Sequence, residues 1–187
     1  MDTPNVEIIF KDQLALIESD ETRDFVIEVF KDHAPQYFWT TPASTSGRYH
    51  PKIALGAGGL VRHTKLAVWW GEQLYRGAPI DYDQYGLDEI VAALLLHDLN
   101  KHSGGCSGHG SLFSDRLYRE YESLPPNQMI ILEGIETHMG KWSSPEFSKP
   151  KNKRPGYHRA FCDIVHMADY CASRKVDDYV ATLEGGA

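Results

Sequence analysis

Cysteine is scarce in this chain. Cys106, Cys162 and Cys171 are widely spaced and form no CxxC pair. That argues against a zinc knuckle or a disulfide framework and fits thiols in a reducing compartment. Long apolar runs are also missing, with nothing near the ~18 residues of a membrane helix. The first residues, MDTPNVEIIFKDQ, carry acids where a signal peptide carries bases, and no apolar h-region follows. A cytoplasmic location without a membrane partner is the expectation. No repeat, low-complexity tract or sustained strand alternation is visible. Positive charge is in deficit as well: 19 Lys and Arg against 26 Asp and Glu, net −7. A protein that coats nucleic acid needs a basic face. A dedicated duplex binder is therefore disfavoured, although a local basic groove is not.

What the chain does have is ordinary apolar content, 42 % of 187 residues, enough to bury one core. It also has nine histidines, and imidazole is a common ligand for Zn, Fe, Mn and Ni. Charge is unevenly spread. Residues 1–35 carry 9 acids and 3 bases, net −6. Residues 141–187 carry 6 acids and 8 bases, net +2, with Lys141, Lys149, Lys151, Lys153, Arg154 and Arg159 opposed within 141–159 by Glu146 alone.

The pattern predicts an all-α protein, a bundle of about seven helices. Helices are expected over 6–18, 21–33, 60–76, 87–99, 111–123 (with Ser111 as N-cap), 127–139 and 157–183. A Pro/Gly-punctuated loop fills 34–59, and a Pro/Lys-rich loop fills 140–156. Residues 1–35 read as a helical appendage and 36–187 as the main domain. The appendage's apolar residues suit docking on the core or on a second copy, so a homo-oligomer is one expectation.

Several polar residues fall on apolar helix faces. His63 is in register with Ala67, Trp70 and Leu74. His97 follows Ile90 and Leu94, and Asp98 follows Val91 and Leu94. His138 follows Ile131 and Ile135, and Asp169 shares a stripe with Cys162, Val165 and Ala172. Each points at the core, where an unpaired carboxylate costs several kcal/mol. Buried Asp and His neutralise one another best around a divalent cation, and helices converging on one point are a usual way to build such a site.

In order along the chain, His63, His97–Asp98 and Asp169 match the His…His-Asp…Asp pattern of the HD-domain metal-dependent phosphohydrolases, which this sequence resembles over about 40–185. The resemblance is to small stand-alone phage and bacterial members, and the stretch ending GGLVRHT is similar to the HD region of bacterial 3′–5′ exoribonucleases. It implies an HD-domain helical bundle at 36–187. His138 and His109 fit the two further histidines of the binuclear branch, and Lys101 completes HDxxK.

The implied metal ligands are His63, His97, Asp98, His109, His138 and Asp169. The implied cofactor is one or two divalent ions (Mn, Fe, Ni, Zn or Mg), the ligand set not deciding among them. The implied reaction is attack of a metal-activated hydroxide on a phosphoester or phosphoanhydride, with Asp98 bridging and Lys101 stabilising charge on the phosphate. The substrate would be a small phosphorylated molecule such as a nucleotide or cyclic nucleotide, or a short single-stranded oligonucleotide. Candidate substrate contacts are Arg48, His50, Arg62, Lys141 and Trp142. His166 is a candidate support for Asp169, Glu72 a candidate general acid, and KPKNKRPGYHR a candidate lid. Two competing readings share the pattern. A mixed-valent di-iron oxygenase of the same fold uses a similar ligand set on small polar substrates. A non-catalytic nucleotide sensor would show a broken set, and none of the four core ligands is missing here.

Overall fold

The computed structural model describes residues 4–44, 46–78, 85–101, 108–121, 123–143 and 156–175. Among these residues there are eight α-helices and no strand. They are α1 (Val6–Ile9), α2 (Lys11–Leu14), α3 (Asp20–His33), α4 (Gly59–Gly77), α5 (Leu87–Leu96), α6 (His109–Glu120), α7 (Pro126–Thr137) and α8 (Gly156–Ala172). Three short 3-10 turns lie at Gln36–Trp39, Lys52–Ala54 and Gly140–Trp142.

The apolar sequence LDEIVAALLL makes α5 the central helix. Every residue from Ile90 to Leu96 is buried, and α5 packs against α3, α4, α7 and α8. Its start is fixed by Glu89, whose carboxylate accepts from the Gly86 amide at 2.8 Å. Asp88 in the same turn accepts from the amides of Glu18 and Ser19 at 3.0 and 2.7 Å. That pair ties the α2–α3 connection to the core helix. Ser19 then caps α3 through the Thr22 amide at 3.2 Å, and Asp20 and Glu21 complement the helix dipole. The first three helices share one continuous buried cluster with the rest. Phe10 lies 5.2 Å from Phe30 and 6.4 Å from Phe38, ring centre to ring centre.

The helix count rises from seven to eight because the expected 6–18 helix breaks at Phe10 (φ −108°, ψ 25°). The break lets Val6, Phe10, Leu14 and Ile17 all reach the core, where each is buried. Burial of large apolar groups outweighs the helical bonds lost over so short a segment. The α6 helix starts at His109 with Gly108 at its cap, so Ser111 is not the N-cap. The last helix ends at Ala172, not at 183, and a turn follows at 173–175. Ser173 marks that end. Its hydroxyl bonds sideways, 3.3 Å from His50 Nε2, and Ser at a helix end favours such competing bonds. No helix among the described residues is long and apolar enough to cross a membrane.

Candidate metal centre

The helix ends bring the polar residues together. His63 projects from the second turn of α4, His97 and Asp98 follow the last residue of α5, and His109 opens α6. His138 follows the last residue of α7, and Asp169 lies one turn before the end of α8. The α5 and α7 ends use the same local device. The Nδ1–H of His97 donates to the Leu94 carbonyl at 2.6 Å, and that of His138 to the Ile135 carbonyl at 2.7 Å. A carbonyl only accepts, so each Nδ1 carries a proton and Nε2 is the nitrogen each ring turns inward, able to ligate once it carries none.

Two groups of ligand atoms result, each within 4.8 Å: His63, His97, Asp98 and Asp169, and Asp98, His109 and His138. Asp98 belongs to both and divides its oxygens between them. Its Oδ2 lies 3.4 Å from His63 Nε2 and 3.5 Å from His97 Nε2. Its Oδ1 lies 2.8 Å from His109 Nε2 and 3.6 Å from His138 Nε2. Asp169 Oδ1 closes the first group, 3.0 Å from His63 Nε2 and 3.6 Å from His97 Nε2. The Asp98 side chain is 1 % exposed and those of His63, His97 and His138 are fully buried.

The residues fit a cation. His109 and His138 face each other Nε2 to Nε2 at 3.0 Å, as do His63 and His97 at 3.4 Å. Two facing neutral nitrogens share at most one proton, whereas a divalent ion takes both lone pairs and offsets the carboxylates. His63 Nδ1 is buried without a hydrogen-bond partner, so the ring's polar interactions lie on its Nε2 side.

Charges in the bare site follow from burial and proximity. Burial disfavours a charged His97, but the Asp98 and Asp169 carboxylates outweigh it and push the ring up to about 10. Burial holds His138 down at about 4. Burial also opposes the charge on Asp98 and Asp169. Lys101 and His97 around Asp98, and His63 and His97 around Asp169, keep both well below the usual carboxylate range. Lys101 Nζ donates to Asp98 Oδ2 at 2.7 Å. Its ammonium is held above its ordinary pKa despite burial, chiefly by Asp98.

A pocket of about 340 Å³ opens onto the cluster, lined by Tyr49, His50, Lys101, His109, Met139, Trp142, His166, Asp169, Tyr170, Ser173 and Arg174. Of the candidate substrate contacts, His50 and Trp142 line it. His50 is kept neutral down to about 4, mainly by burial and then by His63 and Lys101. Arg48 and Lys141 are exposed outside the lining, each over a lining ring: Arg48 at 5.2 Å from the Tyr49 centroid, Lys141 at 4.7 Å from that of Trp142. Arg62 is not among the lining residues. It donates to the carbonyls of Ile53 and Leu55 at 2.5 and 2.9 Å, bracing the loop before α4. Glu72 is likewise absent from the lining and pairs with Arg76 at 3.0 Å. His166 supports a different ligand from the one expected. Its Nδ1 donates to the His138 carbonyl at 2.5 Å. Gly140 (φ +54°) is needed beside it, because a Cβ there would lie 2.4 Å from the His166 ring. Residues 149–155 of the candidate lid, and His102, lie outside the described residues.

No family model, curated protein or solved structure matches this chain. Its functional reading therefore rests on the site itself.

That site includes residues that the sequence pattern did not single out: Tyr49, Met139, Tyr170, Ser173 and Arg174. The last three had a signal. Ser173 is four residues past Asp169, hence on the same helical face, and its Oγ lies 3.5 Å from Asp169 Oδ1. Arg174 stands four past Tyr170 and lies 4.0 Å from that ring's centroid.

Proposed function

We propose that this chain is an HD-type metal-dependent phosphohydrolase acting on a nucleotide, a cyclic nucleotide or a short oligonucleotide. The observation that carries this reading is Asp98, one buried carboxylate whose two oxygens serve two separate ligand groups. Such sharing suits two neighbouring divalent ions, which when bound supply the Lewis acidity and acidified water that phosphoester hydrolysis requires. In the first seat His63, His97 and Asp169 complete the ligands, and in the second His109 and His138 do so.

The protein groups supply position and charge. The Leu94 and Ile135 carbonyls fix which nitrogen of His97 and of His138 faces the centre. Lys101, held by Asp98 at the pocket wall, offers N–H donors to the oxygens of a bound phosphate. His50 is neutral at ordinary pH and adds no further charge beside Asp169 and Ser173. Lys101 and Arg174 line the pocket, and Asp169, itself a ligand, is the lone carboxylate among the described residues that line it. A pocket of that polarity suits an anionic substrate, which favours hydrolysis of a phosphoester over oxidation of an uncharged molecule.

The test is metal analysis of protein purified without chelators, followed by a nucleotide panel with Mn²⁺. Release of phosphate or nucleoside supports the proposal. Stoichiometric iron with O₂ consumption and no phosphate release overturns it in favour of a di-iron oxygenase.

A further inference from the structure

Arg174 sits in an unusual place. Its guanidinium carbon lies 4.0 Å from the Tyr170 ring centroid, 5.5 Å from that of Tyr49 and 5.8 Å from that of Trp142. Tyr170 and Trp142 stack on each other at 5.3 Å with an interplanar angle of 23°. Three rings from three separate segments thus hold one cation on the pocket wall. Ring faces satisfy the charge in part, but they accept none of the in-plane N–H bonds of a guanidinium. Among the described residues no carboxylate or carbonyl accepts from this side chain, and its Nε is buried without a partner. Burying that Nε–H is costly unless an acceptor arrives.

The surroundings determine what that acceptor is. Lys101 is committed to Asp98 at 2.7 Å. Asp169, the one carboxylate among the described residues that line the pocket, lies 3.0 Å from His63 and belongs to the metal-ligand group. Arg48 and Lys141 add positive charge over the Tyr49 and Trp142 rings. In a chain of net charge −7, this rim is locally cationic. One phosphate of a substrate facing the cluster would be served by the ions and Lys101, leaving Arg174 without an anion.

We infer that Arg174 is a specificity-determining residue that seats a second, non-scissile phosphate, so that the preferred substrate is a nucleotide bearing two separate phosphate groups. A planar guanidinium matches two phosphate oxygens with two parallel N–H bonds. The ring clamp fixes its plane beforehand, so little side-chain entropy remains to be lost on binding.

The inference rests on the phosphohydrolase reading for its scissile group but is tested by binding. Calorimetry of the full chain compares adenosine 3′,5′-bisphosphate with AMP, at low salt and with Ca²⁺ in place of a catalytic metal. The wild type is expected to hold the bisphosphate at least about 10-fold more tightly than AMP, from one charge-assisted bidentate contact. Arg174→Met should erase that preference while AMP affinity changes less than about 2-fold, and Arg174→Lys should restore part of it. Circular dichroism and metal stoichiometry of both variants show whether they fold. Should Arg174→Met not fold, loss of most of the preference in a folded Arg174→Lys supports the seat and retention of all of it overturns the seat. A wild type with no preference, or a preference that survives in Arg174→Met, overturns it too. If the preference behaves as expected but no phosphoester is cleaved, the seat stands and the hydrolase reading falls. If phosphoester is cleaved but the preference is missing, the hydrolase reading stands and the seat falls.

Discussion

Replacing Gly110 by Ala probes the second ligand group without touching a ligand. Gly110 follows His109 in the first turn of α6 and faces the end of α7. A Cβ built there lies 2.3 Å from the Ile135 carbonyl oxygen and 2.8 Å from the His138 ring. Ordinary contact begins near 3.4 Å, so the two backbones would have to part by about 1 Å. The obstructing atom is the same oxygen that accepts from His138 Nδ1 at 2.7 Å. Side-chain rotation cannot relieve a clash with a backbone carbonyl, so the seam between α6 and α7 must open and carry His109 away from His138.

Overpacking of this kind costs about 1–3 kcal/mol, and the better helix propensity of Ala returns at most about 1 kcal/mol. A net loss of about 1–2 kcal/mol corresponds to a Tm lower by roughly 2–8 °C for a domain of this size. Metal ligation tolerates shifts of only about 0.2 Å, so the effect on binding is larger than the effect on folding. Metal titration with mass-spectrometric counting should show two ions per chain for the wild type and one for Gly110→Ala. Gly77→Ala is the control, since nothing lies within 4 Å of a Cβ at that position, and it should keep both ions and its Tm. A Gly110→Ala protein that binds two ions with wild-type affinity would refute the packing argument and the placement of the second ion at the α6–α7 seam.

Asp98→Ala should lose both ions and all turnover, because both groups share that carboxylate, and metal counting of the folded variant checks it. His109→Ala should lose the second ion alone. Arg62→Met removes the ties to Ile53 and Leu55, so thermal melting should show a lower Tm while KM stays unchanged. The metal-free protein should be most stable near pH 6.5, as chemical denaturation across pH would show. On the acid side, burial holds His50 and His138 at about 4 in the fold. Unfolded rings near 6.5 bind protons the native rings refuse, so stability falls from pH 6.5 towards 4. On the alkaline side His97, held at about 10 by Asp98 and Asp169 against burial, gives stability that is full below 6.5 and is lost as pH rises towards 10. Metal uptake at pH 8 should therefore release a proton from His97.

The all-helical architecture was legible from the absence of strand alternation and from apolar runs of helical length, above all LDEIVAALLL. His63, His97, Asp98, His138 and Asp169 were legible because a polar residue on an apolar helical face has to find a partner inside. His109 was named from the family pattern, because in a glycine-rich segment periodicity says nothing. Local sequence carries that much because the 3.6-residue period fixes which side chains share a face. Tertiary structure alone decided the rest. Phe10 breaks its helix because rings from α3 and the 36–39 turn lie beside it, and no local pattern holds that information. Arg62 goes to the backbone of its own entry loop instead of the pocket. Ser173 meets His50 across 123 positions of sequence, and three rings from three segments close on Arg174. Which helix ends meet, and which oxygen of Asp98 serves which histidines, depends on crossings between distant elements. Those are set by packing of the whole core and not by the propensity of any one segment.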